Sequence, residues 1–123
     1  NTNDQTICLD GDGSFIMHLG ALTLLSNNKR KNFKYILLDN GSHESIGKQP
    51  TKLKNINFKK ISEGLGFKKF YFTDSIKTLD KNIKNFIKSK GPSFLHVKIK
   101  IGTLEKLARP KKFLEIKKNF MKN

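Results

Sequence analysis

The sequence predicts an α/β domain of three layers, with helices on a mainly parallel sheet. Three observations predict it. Short apolar, β-compatible runs alternate along the chain with segments whose apolar residues fall at helical spacing. Two of those runs end in turn-forming clusters, Gly11-Asp12-Gly13-Ser14 and Asp39-Asn40-Gly41-Ser42. The 25 residues from 14 to 38 separate the two glycine- and Asp-bearing turns, enough for a helix and its return to the sheet. A single βαβ unit then carries both clusters to one edge of the sheet.

The elements follow in order. Thr6-Ile7-Cys8-Leu9 reads as a strand that stops at Asp10-Gly11-Asp12-Gly13. Ser14 is a favourable N-cap, and Phe15, Ile16, Leu19, Leu22 and Leu25 continue at helical spacing. Asn27-Asn28 with Lys29-Arg30-Lys31 ends that helix, and Phe33 to Leu38 forms a buried strand. A loop of ten residues then closes on Gln49-Pro50-Thr51. Phe58, Ile61 and Leu65 mark the next helix, stopped by Gly64-x-Gly66. Phe70-Tyr71-Phe72 is a short strand, and Thr73-Asp74-Ser75 a capped helix entry. Ile76, Leu79, Ile83, Phe86 and Ile87 make one apolar stripe with Lys and Asn opposite, broken by Gly91-Pro92. From Phe94 to Ile101 apolar and polar residues alternate, with Leu95, Val97, Ile99 and Ile101 on one side and His96, Lys98 and Lys100 on the other. That pattern predicts an exposed face or a sheet edge and puts His96 at the surface. Leu114 to Met121 forms a last short helix.

This arrangement has a chemical consequence. Neighbouring parallel strands end side by side, roughly 5 Å apart, and ligands sit outside their carboxyl ends. Asp12 and Asn40 offer hard oxygen donors of the kind Mg²⁺ takes, few in number and completed by phosphate oxygens. Free N–H groups at the start of the helix favour an anion. The sequence therefore predicts a site for a divalent cation and a phosphorylated ligand.

Composition bounds the alternatives. A chain of 123 residues is one domain with room for a real core. It contains no transmembrane run, signal peptide or repeat. The single cysteine, Cys8, rules out an intrachain disulfide and fits a reducing cytoplasm, and no cysteine cluster offers a metal site. The net charge of +15 is the footprint of a nucleic-acid binder, which is the rival class of function. Against it, only 2 of the 25 basic residues are Arg, and the lysines are spread along solvent faces. Asp10, Asp12, Asp39 and Glu44 meanwhile gather at the expected site, so the enzyme reading leads.

The residues also carry a resemblance. Gly-Asp-Gly followed at this distance by Asp-Asn resembles the thiamine-diphosphate motif of the decarboxylase and acetolactate-synthase superfamily. The segments LDGDGSFIMHLGALTLL, NFKYILLDNGSHESIGKQPT and GPSFLHVKIKIGTLEKLARP are similar to the phosphonopyruvate decarboxylase family, with the sulfopyruvate decarboxylases as near relatives. The likeness runs from about residue 7 to Pro110, and the stretch after Asp39-Asn40 is more particular than Gly-Asp-Gly alone.

The resemblance implies that residues 1–123 are the C-terminal, diphosphate- and Mg²⁺-binding domain of such an enzyme, incomplete at its N-terminal edge. It implies Mg²⁺ held by the side chains of Asp12 and Asn40 and the carbonyl of Ser42, with Gly11, Gly13 and Ser14 against the diphosphate. Thiamine diphosphate would supply the chemistry, its thiazolium ring storing the electron pair released as CO₂ leaves a 2-keto acid. The implied reaction is phosphonopyruvate to phosphonoacetaldehyde, or, for a beta-type subunit, decarboxylation of sulfopyruvate. It further implies a partner domain or subunit carrying the pyrimidine-binding half, an oligomeric cytoplasmic enzyme, and no activity in this chain alone. His18, His43 and Glu44 are candidates for proton transfer or substrate contact, and Arg109 for a phosphonate.

Overall fold

The computed structural model describes residues 4–24, 31–102 and 112–122. Its main sheet has four strands, β1 (Thr6–Gly11), β2 (Phe33–Asp39), β5 (Lys69–Thr73) and β6 (Ser93–Lys98). All pairings are parallel, in the order β1-β2-β6-β5. A two-stranded antiparallel ribbon, β3 (Ser42–His43) with β4 (Gln49–Pro50), stands after β2. The helices are α1 (Asp12–Met17), α2 (Phe58–Gly64), α3 (Ile76–Lys88) and α4 (Phe113–Phe120). The predicted α/β class is the one observed.

Alternation along the strands sorts side chains onto two faces, and each face is covered by different helices. On one face Tyr35, Leu37 and Phe94 meet Phe15 of α1, Phe58 of α2, and Leu65 and Phe67 just beyond it. Phe94 is the hub of this aromatic core. Its ring stacks on Tyr35 at 5.2 Å and Phe70 at 5.8 Å, and meets Phe67 edge-on at 5.2 Å. On the other face Leu95 and Val97 pack against Phe86 of α3, with Leu79, Ile36 and Tyr71 around them. That second layer stops short of the sheet edge. Ile7 and Leu9 on β1 are left 48% and 64% exposed.

Several elements differ from the sequence-based expectation. The first helix begins at Asp12, with Gly11 and not Ser14 at the N-cap, because Gly11 is the last extended residue before the turn. It ends at Met17 and tightens into a 3₁₀ segment, Leu19–Thr23. Gly20 supplies little helical propensity there, and the tighter winding still delivers Leu19 and Leu22 to the core. Leu25 and the basic stretch through Arg30 lie outside the described residues. The loop closing on Thr51 is structured by the β3–β4 ribbon and a 3₁₀ turn at Glu44–Ile46.

The largest correction concerns β6. It is an inner strand between β2 and β5, so the expected exposed face or edge is not found. The strand ends at Lys98, leaving Ile99 and Ile101 outside it and exposed. His96 is buried, 5% exposed, because the end of β2 supplies Asp39 as its partner. At the entry to α3, Ser75 is the N-cap residue but makes no side-chain capping bond; its hydroxyl pairs with that of Thr78. Asn57 does cap α2, accepting from the Lys60 N–H at 3.0 Å. Gly66, at φ +86°, turns the chain out of α2 as expected.

Candidate functional site

The carboxyl ends of β1 and β2 are adjacent, with Gly11 opposite Leu38 in register. The two turn clusters therefore meet where ligands gather in open α/β sheets. Asp12 is 3% exposed, and its Oδ2 accepts from the Gly41 N–H at 3.0 Å and the Thr51 hydroxyl at 2.8 Å. The first cluster is thus fixed directly to the second and to the end of the β3–β4 loop. Asp12 Oδ1 accepts no hydrogen bond from the described residues, and its outer lone pairs remain for a ligand.

Asn40 closes its own turn. Its Oδ1 accepts from the Ser42 N–H at 2.9 Å, and its Nδ2 donates to Glu44 Oε2 at 3.0 Å. The second bond fixes which end of the amide is oxygen, and Oδ1 keeps another lone pair. Glu44 also accepts from the Gly102 N–H at 2.7 Å through Oε1. Both of its oxygens are engaged, so it braces the turn against the chain that leaves β6.

Gly11, Asp12, Gly13, Ser14, Asn40, Ser42, His43 and Glu44 all line one cavity of about 400 Å³. Met17, Ile46 and Ile99 give it an apolar wall. Gly13 lies in close approach to the ribbon: a Cβ there would lie 2.3 Å from His43 Nδ1, so the ring would have to move. His18 is not in the cavity lining; it is exposed, with Nδ1 3.2 Å from the Ser14 carbonyl. Arg109 lies outside the described residues.

Beneath the turn, Asp39 is tied to His96 and Lys98 in a network that the sequence did not indicate. Asp39 is 1% exposed, and its Oδ2 accepts from His96 Nε2 at 2.8 Å and Lys98 Nζ at 2.7 Å. Burial alone would push Asp39 upward, but hydrogen bonds from Lys98 and His96 and the charge of Lys98 hold it below the usual carboxylate range. Burial lowers His96, against the pull of Asp39, so the ring is neutral and donates its Nε2–H to the carboxylate. Register gave the missing signal. Asp39 shares the inward face of Tyr35 and Leu37, and His96 that of Phe94, at the ends of paired strands. Thr51, read only as the end of a loop, is the other anchor that sequence reasoning missed.

The donor set fits a hard divalent cation beside a phosphate: one carboxylate oxygen free of partners, one oriented carboxamide oxygen, and backbone groups of a glycine turn. Among the described residues no cluster of three His, Cys, Asp or Glu competes for a metal.

Comparison with known proteins gives the same direction. The family model described as thiamine pyrophosphate enzyme, C-terminal TPP binding domain, matches residues 1–97. A phosphonopyruvate decarboxylase of Streptomyces viridochromogenes is 30% identical over 111 residues, covering 90% of this chain and 28% of that protein. Sulfopyruvate decarboxylase subunit beta of Methanocaldococcus jannaschii is 36% identical over 86 residues, covering 69% of this chain and 45% of that one. This chain thus spans less than half the length of either relative. An X-ray structure assigned as a thiamin diphosphate-dependent enzyme from Mycobacterium smegmatis superposes with a TM-score of 0.63 at 22% identity, over 80% of this chain and 18% of that one. At that identity the likeness speaks for the fold. With the family model covering most of the chain and the glycine turns meeting as they do, the chain belongs to the thiamine pyrophosphate enzymes, as their C-terminal TPP-binding domain.

Proposed function

We propose that this chain supplies the diphosphate- and Mg²⁺-binding half of a thiamine-diphosphate-dependent 2-keto acid decarboxylase. The carrying observation is Asp12: one carboxylate oxygen is tied to Gly41 and Thr51, leaving the other for the cavity that Asn40 and Ser42 also line. In this reading Asp12, Asn40 and the Ser42 carbonyl hold Mg²⁺, and backbone groups of Gly11, Gly13 and Ser14 hold the diphosphate. The cofactor, when bound, supplies the electron sink for decarboxylation. Glu44 orients the Asn40 carboxamide, and Met17, Ile46 and Ile99 give the cavity an apolar rim. His43, packed against Gly13, is the proposed proton donor or acceptor at the cofactor's side, with His18 outside the site.

Phosphonopyruvate, giving phosphonoacetaldehyde and CO₂, is the substrate we favour. A beta-type subunit acting on sulfopyruvate is the second reading, supported by the sulfopyruvate decarboxylase beta subunit of M. jannaschii at 36% identity. In both, a further domain or subunit brings the pyrimidine-binding half. The exposed Ile7 and Leu9 on the edge strand β1 support a covering partner. The chain by itself is expected to show no turnover of phosphonopyruvate or sulfopyruvate, and turnover by the isolated chain would contradict the two-half reading.

Calorimetric titration tests the reading. Thiamine diphosphate is expected to bind in Mg²⁺ and not in chelator, and Asn40→Leu is expected to weaken binding at least about tenfold. Equal binding with and without metal would refute it.

A further inference from the structure

We infer that Asp39 is a positioning residue for the metal-ligand turn, acting with His96 and Lys98 and outside the cavity itself; the inference rests on the cofactor reading above. Asp39 does not line the ligand cavity. It nonetheless directly precedes Asn40 and grips the turn at three points. Its Oδ1 accepts from the Gly41 N–H at 3.1 Å, its Oδ2 takes the His96 and Lys98 donors, and its carbonyl accepts from the Ile99 N–H at 2.9 Å.

The Gly41 N–H is shared. It points to Asp39 Oδ1 and to Asp12 Oδ2 at 3.0 Å, so a single donor sets the spacing of two buried carboxylates. Gly41 takes φ +72°, a conformation that leaves the turn free to relax if that donor is released. The other end of the network is held firmly. The His96 ring packs against Phe58 of α2 at 4.5 Å and Phe72 of β5 at 5.1 Å. The ligand turn is therefore fastened through one carboxylate to β6, and through its histidine to α2 and β5. Outer-sphere partners that orient ligands typically set metal affinity by 10–100-fold.

Three variants separate positioning from simple support of the fold. Asp39→Asn replaces an acceptor oxygen by a donor facing two donors. His96→Leu removes the ring N–H, and His96→Gln restores a donor near the Nε2 position. Mg²⁺-dependent binding of thiamine diphosphate by calorimetry, amide hydrogen exchange at Gly41, and melting temperature are measured on each. Asp39→Asn and His96→Leu are expected to weaken binding about 10–100-fold and to speed exchange at Gly41, while His96→Gln recovers most of the affinity. A core variant with a matched drop in melting temperature, Leu37→Ala, is expected to bind as the parent does. The inference is overturned if the first two variants bind normally, or if Leu37→Ala weakens binding equally. A parent chain with no Mg²⁺-dependent binding defeats the cofactor reading, and this inference with it; normal parent binding with unaffected variants defeats the inference alone.

Discussion

Lys34 is almost wholly buried in β2, yet its ammonium is met on every side. It donates to the carbonyls of Ser89 and Gly91 at 2.6 and 3.2 Å and to the hydroxyls of Ser89 and Ser93 at 2.9 and 3.1 Å. Burial lowers its pKa, and the four oxygens keep the charge tolerable. Lys34→Met should destabilise the domain by about 1–3 kcal/mol in urea unfolding, because two part-buried carbonyls and the buried Ser93 hydroxyl lose their donor; an unchanged midpoint would show that the network carries no net stability. Cys8 is affected in the opposite sense: burial, then the charge of Asp10, raises its thiol. The folded chain holds that proton to higher pH than the unfolded chain, so Cys8 removes stability as pH rises through the ordinary thiol range. Iodoacetamide should therefore label native Cys8 much more slowly than urea-unfolded Cys8 at pH 8; equal rates would contradict this. At this scale the meeting of Asp12, Asn40 and Ser42 at one cavity was legible, because turn residues that end two neighbouring strands mark it. It was not legible for Asp39 with His96, 57 residues apart, because a polar residue reads as exposed until its partner is known.

The turn from β1 into α1 and the β3–β4 ribbon meet at Gly13 and His43. Gly13→Ala drives a methyl into the His43 ring, which must swing away. Cofactor binding should weaken in Gly13→Ala, and adding His43→Ala should recover part of the loss. Strictly additive losses in that double-mutant cycle would place the two residues in independent sites. The hub of the core offers a second test: Phe94→Ala should cost about 3–5 kcal/mol in urea unfolding, since it opens a cavity among the rings of Phe15, Tyr35, Phe67 and Phe70. Helices with a full apolar stripe were legible to within a residue or two, as α3 and α4 show. The first helix was not, because a stripe of leucines persists through a 3₁₀ segment as readily as through an α-helix. Alternation correctly made β6 a strand but misplaced it. Periodicity reports which residues share a face and is silent on whether the strand is inner or outer.

Across the whole molecule, a charge of +15 surrounds a site that carries its own acids. Such a field gathers anions, and its reach shrinks as salt shortens the screening length to about 8 Å at physiological ionic strength. Raising salt should weaken diphosphate binding gently. A gel-shift with duplex DNA that collapses steeply with salt, alongside salt-insensitive cofactor binding, would instead favour the nucleic-acid reading. Neither helix α4, whose Phe113, Leu114 and Phe120 face solvent, nor the open edge of β1 is explained by this chain alone. No helix among the described residues is long and apolar enough to cross a membrane. The claim on which the rest depends is that the carboxylate of Asp12 and the carboxamide of Asn40 serve one metal. Mn²⁺ added with thiamine diphosphate to the ¹⁵N-labelled chain measures this directly, since a paramagnetic ion broadens only amides near it. The account predicts broadening centred on residues 11–14 and 40–43, abolished by Asp12→Asn. Broadening centred on the lysine-rich helices, with residues 12 and 40 untouched, would contradict it.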